Sequence, residues 1–183
     1  RNLIGQYFYN VALAETGQMC DRLFSGTQDF MAGALVLPWG DAHLNRGAYF
    51  YYAIGLINEA HRWAYEEMIV YGQRPQNIRL LAKTSIINAD YRMARKYISI
   101  LKKTIYYRKE AGELETLLYN PELIKSHPEL GEKLKILPKT SFFIQFNEPQ
   151  NNLPLILEGQ PDNKKAIEYY LAGLLLTKKV EIC

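Results

Sequence analysis

Two stretches of this chain correspond at a fixed offset of 34 residues: Ala48 with Ala82, Gly55 with Ala89, Ile57 with Tyr91, Ala60 with Ala94 and Trp63 with Tyr97. Each stretch reads as a pair of helices. Residues 43–54 and 58–71 make the first pair, with Gly55 closing the opening helix and Gly72 and Pro75 ending the second. Residues 76–87 and 90–111 make the next pair, with Asn88 tolerating a left-handed cap and Asp90 capping the helix that follows. A small side chain where antiparallel helices cross lets their backbones approach, so Ala48 is expected against Ala60, and Ala82 against Ala94.

A period of 34 residues is that of the tetratricopeptide repeat, which this region resembles. In that register the first-helix pattern falls on Leu44, Gly47, Ala48 and Tyr51, then on Ile78, Leu81, Ala82 and Ser85. The fold class implied is all-α: antiparallel helix hairpins stacked as a right-handed tetratricopeptide-like α-α superhelix, with an irregular Pro-rich segment packed on it. The pattern departs from the repeat at its end, where Gly72 and Tyr106 stand in place of proline. The alternative is an irregular helical bundle containing two similar hairpins. Residues 1–24 resemble a further hairpin with Gly17 in its turn, and the loop at 25–42, anchored by Pro38-Trp39-Gly40, absorbs a longer spacing.

In the last helix of the second pair, Tyr91, Ala94, Tyr97, Ile98, Leu101 and Ile105 share one face and are expected to be buried. Arg108 and Lys109 would complement the negative end of its dipole, and Gly112 would stop it. Prolines then punctuate residues 113–161, which read as short helices and extended loop, including a helix from Pro128 through Leu137. The run at 140–146 has strand character without a partner strand. Asp162 is expected to cap a terminal helix over 162–180 with a wide apolar arc. The whole is read as one domain, cut from a longer protein because it opens on Arg1 without Met.

With 183 residues, 48% hydrophobic and 22% charged, disorder and coiled-coil readings are excluded, and no apolar run is long enough to cross a bilayer. A net charge of +3, read as scattered, excludes an electrostatic footprint for nucleic acid. Cys20 and Cys183 have no CxxC spacing and are compatible with two thiols, one disulfide or a bond to an absent segment. His43, His61 and His127 form no zinc motif, and phosphate loops, dinucleotide fingerprints and GxSxG elbows are missing, so no catalytic residue, metal or cofactor is expected. Arg62 and Glu66 read as an ordinary surface pair.

What remains is a surface. First helices of such hairpins line a concave face that takes a protein or peptide, which selects Asn45, Tyr49 and Tyr52 from one hairpin and Arg79, Lys83 and Ile86 from the next. Cationic and amide groups there would hold a backbone or carboxylate between tyrosine walls. The function expected is a non-enzymatic interaction scaffold.

The segments ALAETGQMCDRLF, YRMARKYISILKKTIYYRK, NPELIKSHPELGEKLKILPKTSFFI and QPDNKKAIEYYLAGLLLTKK resemble, in this order, an uncharacterised bacterial family of membrane proteins. In that family, transmembrane helices precede a soluble tetratricopeptide-like domain. The resemblance implies attachment to a membrane through a segment absent from this chain, with the extracytoplasmic side favoured. It also opens an alternative function, as the accessory domain of a membrane enzyme or transporter.

Overall fold

The computed structural model describes residues 3–30, 35, 44–139, 144, 145 and 149–179. Every regular element among them is helical, so the all-α class holds. None of these helices is long and apolar enough to cross a membrane. The chain divides into two compact units, Leu44–Leu137 and a second made of Arg1–His43 with Pro138–Cys183.

The continuous unit opens with α3, Leu44–Ala53, after α1 (Leu3–Glu15) and α2 (Met19–Arg22) of the other unit. It continues through α4 (Ile57–Tyr71), α5 (Pro75–Ile87) and α6 (Tyr91–Leu101), each packed on the one before. Short turns at residues 54–56 and 88–90 fold each pair back on itself, and Gly55 and Ala89 both take positive φ there, 87° and 57°. Ala48, Ala60, Ala82 and Ala94 are each at most 1% exposed, as close helix crossings require. Short helices α7 (Arg108–Thr116), α8 (Pro121–Ser126) and α9 (Pro128–Lys135) complete the unit, with α7 on α6 and α9 on α5.

Helix α5 is covered on nearly every side: of its thirteen residues, Asn77, Ile78 and all from Leu80 to Ile87 are buried. Several are polar, and burial makes a partner valuable to each; all but Ser85, whose buried hydroxyl has none among the described residues, have at least one. Asn77 Nδ2 donates to the Gly72 carbonyl at 3.1 Å. The Thr84 hydroxyl donates to the Leu80 carbonyl at 2.9 Å, leaving its oxygen to accept from His61 Nδ1 at 2.8 Å. Lys83 is the demanding case.

Helix α6 ends earlier than its apolar pattern suggests. The Thr104 side chain donates to the Leu101 carbonyl at 2.7 Å and accepts from the Tyr107 amide at 3.2 Å, which turns the chain before a further helical turn can form. Three expectations are corrected by that turn. Ile105 is 91% exposed instead of buried. Arg108 and Lys109 open α7 instead of closing α6, and Gly112 lies inside α7 instead of stopping a helix. Asn163, not Asp162, caps the terminal helix by accepting from the Ala166 amide at 3.1 Å.

In the discontinuous unit, α11 (Lys164–Leu176) packs on α1, α2 and α10 (Asn152–Gly159), burying Tyr7, Met19, Leu23, Ile156 and Tyr169. Side-chain amides fasten the irregular chain to it. Gln6 both accepts from the Asp29 amide, at 2.8 Å, and donates to the Asp29 carbonyl, at 3.3 Å. Asn152 clasps Gln145 in the same way, at 2.8 and 3.0 Å. The Pro38-Trp39-Gly40 anchor and most of the run at 140–146 lie outside the described residues.

Candidate functional site

Four of the six residues selected from sequence meet on one face of the continuous unit, where carboxylates from α7 and α9 fill the space between them. Arg79 Nε donates to both oxygens of Glu110, at 2.7 and 2.8 Å. Lys83, with 5% of its side chain exposed, pairs with Glu110 at 3.0 Å and Glu129 at 2.7 Å. Tyr52 donates its hydroxyl to the other oxygen of Glu129 at 2.9 Å. Tyr49 stands half-buried near Arg79 and Tyr107; burial raises its phenol, the charge of Arg79 lowers it, and that of Glu67 raises it again. Ile86 is a core residue, 1% exposed. Asn45 belongs to α3, and its side chain lies outside the described residues.

The local sequence explains why the carboxylates arrive here. Pro128 starts α9, and His127 Nδ1 caps it by accepting from the Glu129 and Leu130 amides at 3.2 Å, which fixes Glu129 in the first helical turn. Glu110 occupies the first turn of α7, where a negative charge is also favoured by the helix dipole. Burial by itself would raise both carboxyls. For Glu110 the hydrogen bond from Arg79 and the charge and hydrogen bond of Lys83 overrule it; for Glu129 Lys83 and then the Tyr52 hydroxyl do so, and both groups titrate below the usual carboxylate range.

Lys133 extends the arrangement: 2% exposed, it donates to the Ala53 carbonyl at the end of α3 at 3.1 Å and lies 5.1 Å from the centre of the Tyr52 ring. Glu110, Glu129 and Lys133 were not selected from sequence. Their signals are weak ones, a proline-started helix with Glu in its first turn and a lysine on a short helix, and neither says which face will be covered. The arrangement binds and neutralises charge; it presents no nucleophile beside a base. Among the described residues no group of His, Cys, Asp and Glu is suited to a metal ion.

Two other polar side chains singled out in the sequence have ordinary partners. Arg62 joins both Glu59 and Glu66, at 2.9 and 2.6 Å. His61, whose imidazole burial shifts below its ordinary value against the weaker, opposing charge of Asp90, serves the α4–α5 contact through Thr84. Cys20 is exposed and forms no disulfide among the described residues; burial raises its thiol, with the charges of Glu168 and Asp21 adding to the effect.

Basic charge is less scattered than the composition suggests. Between Tyr91 and Lys109 there are seven Lys or Arg and no Asp or Glu. Arg92, Arg95, Lys96 and Lys103 follow helical spacing along the exposed side of α6 and the turn after it.

Fold and site together define a class: all-α proteins built on helix hairpins, with one helix face closed by charge pairs from the chain's own later helices. The chain belongs to the DUF6057 family, a family of unknown function, which it matches over residues 1–182. None of the curated proteins and none of the solved structures matches it.

Proposed function

We propose that this chain is a non-enzymatic protein-interaction module whose ligand-bearing surface is the face of α3 and α5 that carries Tyr49 and Arg79. The observation behind this reading is that the segment from α7 to α9 is itself seated on that face by carboxylate–cation pairs. A partner of the same chemistry, a helix or extended segment with a carboxylate, would compete with Glu110 for Arg79. Arg79 suits this role better than Lys83 because its side chain is 38% exposed, within reach of an incoming group.

On the same reading the hairpins are tetratricopeptide-like units of a right-handed superhelix, a view supported by the 34-residue correspondence and the two buried alanine pairs. Attachment of the full-length protein to a membrane through a segment outside this chain is supported by the sequence resemblance alone.

The test is crosslinking and capture from the native cell, comparing wild type with a Tyr49→Ala/Arg79→Gln variant whose helical content and melting are verified first. Loss of specific partners from the variant, and their enrichment on a Glu110→Gln variant that releases Arg79, is the expected result. Identical partner sets for all three proteins would overturn the groove reading.

A further inference from the structure

Ile105 and Tyr106 are 91% and 93% exposed, adjacent in sequence, and set at the tip of the turn between α6 and α7. An isolated exposed apolar residue needs no explanation, but two consecutive ones, both almost fully hydrated, are a standing cost unless something covers them. Their surroundings say what kind of cover fits. Lys102 and Lys103 precede the pair; Arg108 and Lys109 follow Tyr107. The turn is rigid: Thr104 ties it at both ends, and Arg108 Nε donates to the Lys102 carbonyl at 3.1 Å. Lys102 is held by Glu115, whereas Lys103 and Lys109 form no ion pair among the described residues. Of the acids on α7, Glu110 is engaged with Arg79 and Lys83 and Glu115 with Lys102, which leaves the exposed Glu113, one helical turn after Lys109, as the one acid of that helix in no ion pair among the described residues. The tip is therefore an apolar point flanked in sequence by the exposed cations Lys103, Arg108 and Lys109.

We propose that this turn is an interfacial membrane-docking element: Ile105 and Tyr106 enter the headgroup region of an anionic bilayer while Lys103, Arg108 and Lys109 lie at its phosphates. Aliphatic and tyrosyl side chains suit the headgroup–acyl boundary, and cations within a Debye length of the surface, about 8 Å at physiological salt, add attraction to anionic lipid. The exposed basic side of α6, with Arg92 and Lys96, leads away from the tip and steers approach. A nucleic acid would use the same cations, but an exposed isoleucine offers a phosphate chain or a base nothing, so the apolar tip favours lipid. This contact is made by the chain itself, through residues other than those of the Tyr49 and Arg79 face, which it adjoins at Tyr107, and without any other segment.

The experiment is vesicle co-sedimentation of the full chain with phosphatidylcholine alone and with about 30% phosphatidylserine added, in low salt and in about 0.5 M salt. The expected result is partitioning onto the anionic vesicles that weakens in high salt. It should drop about tenfold or more in an Ile105→Ser/Tyr106→Ser variant. Both side chains are fully hydrated, so the variant should keep its melting temperature. Ile105→Trp should strengthen binding, since indole favours the interface. Equal binding by wild type and the Ser/Ser variant, or no preference for anionic vesicles, would overturn the proposal. So would concentration-dependent self-association that the Ser/Ser variant abolishes without any vesicle binding by wild type, or tight binding of a single-stranded oligonucleotide that is indifferent to the tip substitutions.

Discussion

Lys83 has 5% of its side chain exposed, while its partners Glu110 and Glu129 retain 27% and 38%. That asymmetry makes the two halves of the cluster unequal to remove. Taking away the cation leaves carboxylates that water can still reach; neutralising both carboxylates leaves an ammonium in the packed interior. Glu110→Gln/Glu129→Gln is therefore expected to cost about 3 kcal/mol of unfolding free energy, and Lys83→Met less, as measured by denaturant titration. The pH dependence has a definite sign. Because both carboxyls titrate in the folded chain below their ordinary value of 4.5, their contribution is complete above that value and is lost as pH falls through the lower folded values. Thermal melts between pH 6 and about 3 should fall more steeply for wild type than for the double variant. His61 acts in a separate window. Its folded value lies below 6.5, so the neutral form is preferred on folding, and stability that is intact above 6.5 declines as pH drops below it. The Cys20 thiol, raised by burial and nearby acid, should react with iodoacetamide more slowly at pH 8 than a free cysteine does.

At the scale of elements, the two hairpins place different residues at one backbone position. Gly55 has φ 87° and a Cβ there would lie 2.7 Å from the Ile136 carbonyl oxygen, so Gly55→Ala should lose about 2 kcal/mol or more. Ala89 holds the corresponding left-handed conformation with a side chain, so Ala89→Gly should gain about 1 kcal/mol; calorimetry of the two variants should give shifts of opposite sign. The same contrast exists between Gly131 and Gly112. A Cβ on Gly131 would meet the Lys125 carbonyl oxygen at 2.2 Å, where α8 and α9 approach, whereas one on Gly112 would meet nothing within 4 Å. Gly112→Ala should stabilise α7 by about 0.5–1 kcal/mol while Gly131→Ala disrupts the turn. Helical periodicity made α1 and α3 to α6 legible in the sequence, because their apolar positions recur at helical spacing and α3 to α6 also pack on neighbours close in the chain. It did not reveal the end of α6, since a single hydroxyl at Thr104 overrides an apolar pattern that continues to Ile105. Nor did it reveal that the face with Tyr52, Arg79 and Lys83 is covered. The groups that cover it lie 31 to 77 residues away along the chain, and no local pattern records pairings of that range.

For the whole molecule, the division into a continuous and a discontinuous unit makes a prediction about autonomy. A fragment of residues 44–137 contains all of α3 to α9 and the charge cluster with its partners. It should fold by itself, with a cooperative thermal transition and the carboxylate-dependent pH response of the full chain. A featureless melt would show that the hairpins depend on the rest. The other unit is discontinuous in sequence: α1 and α2 find their packing surface on α11, more than a hundred residues later. On a ribosome adding about 5–20 residues per second, roughly 7–30 s separate the emergence of α2 from that of α11. Throughout that interval Tyr7, Leu13, Met19 and Leu23, all buried in the finished protein, have no α11 to cover them. During synthesis, then, α1 and α2 wait for α11 before their buried side chains are covered, while the hairpins made after them can already close.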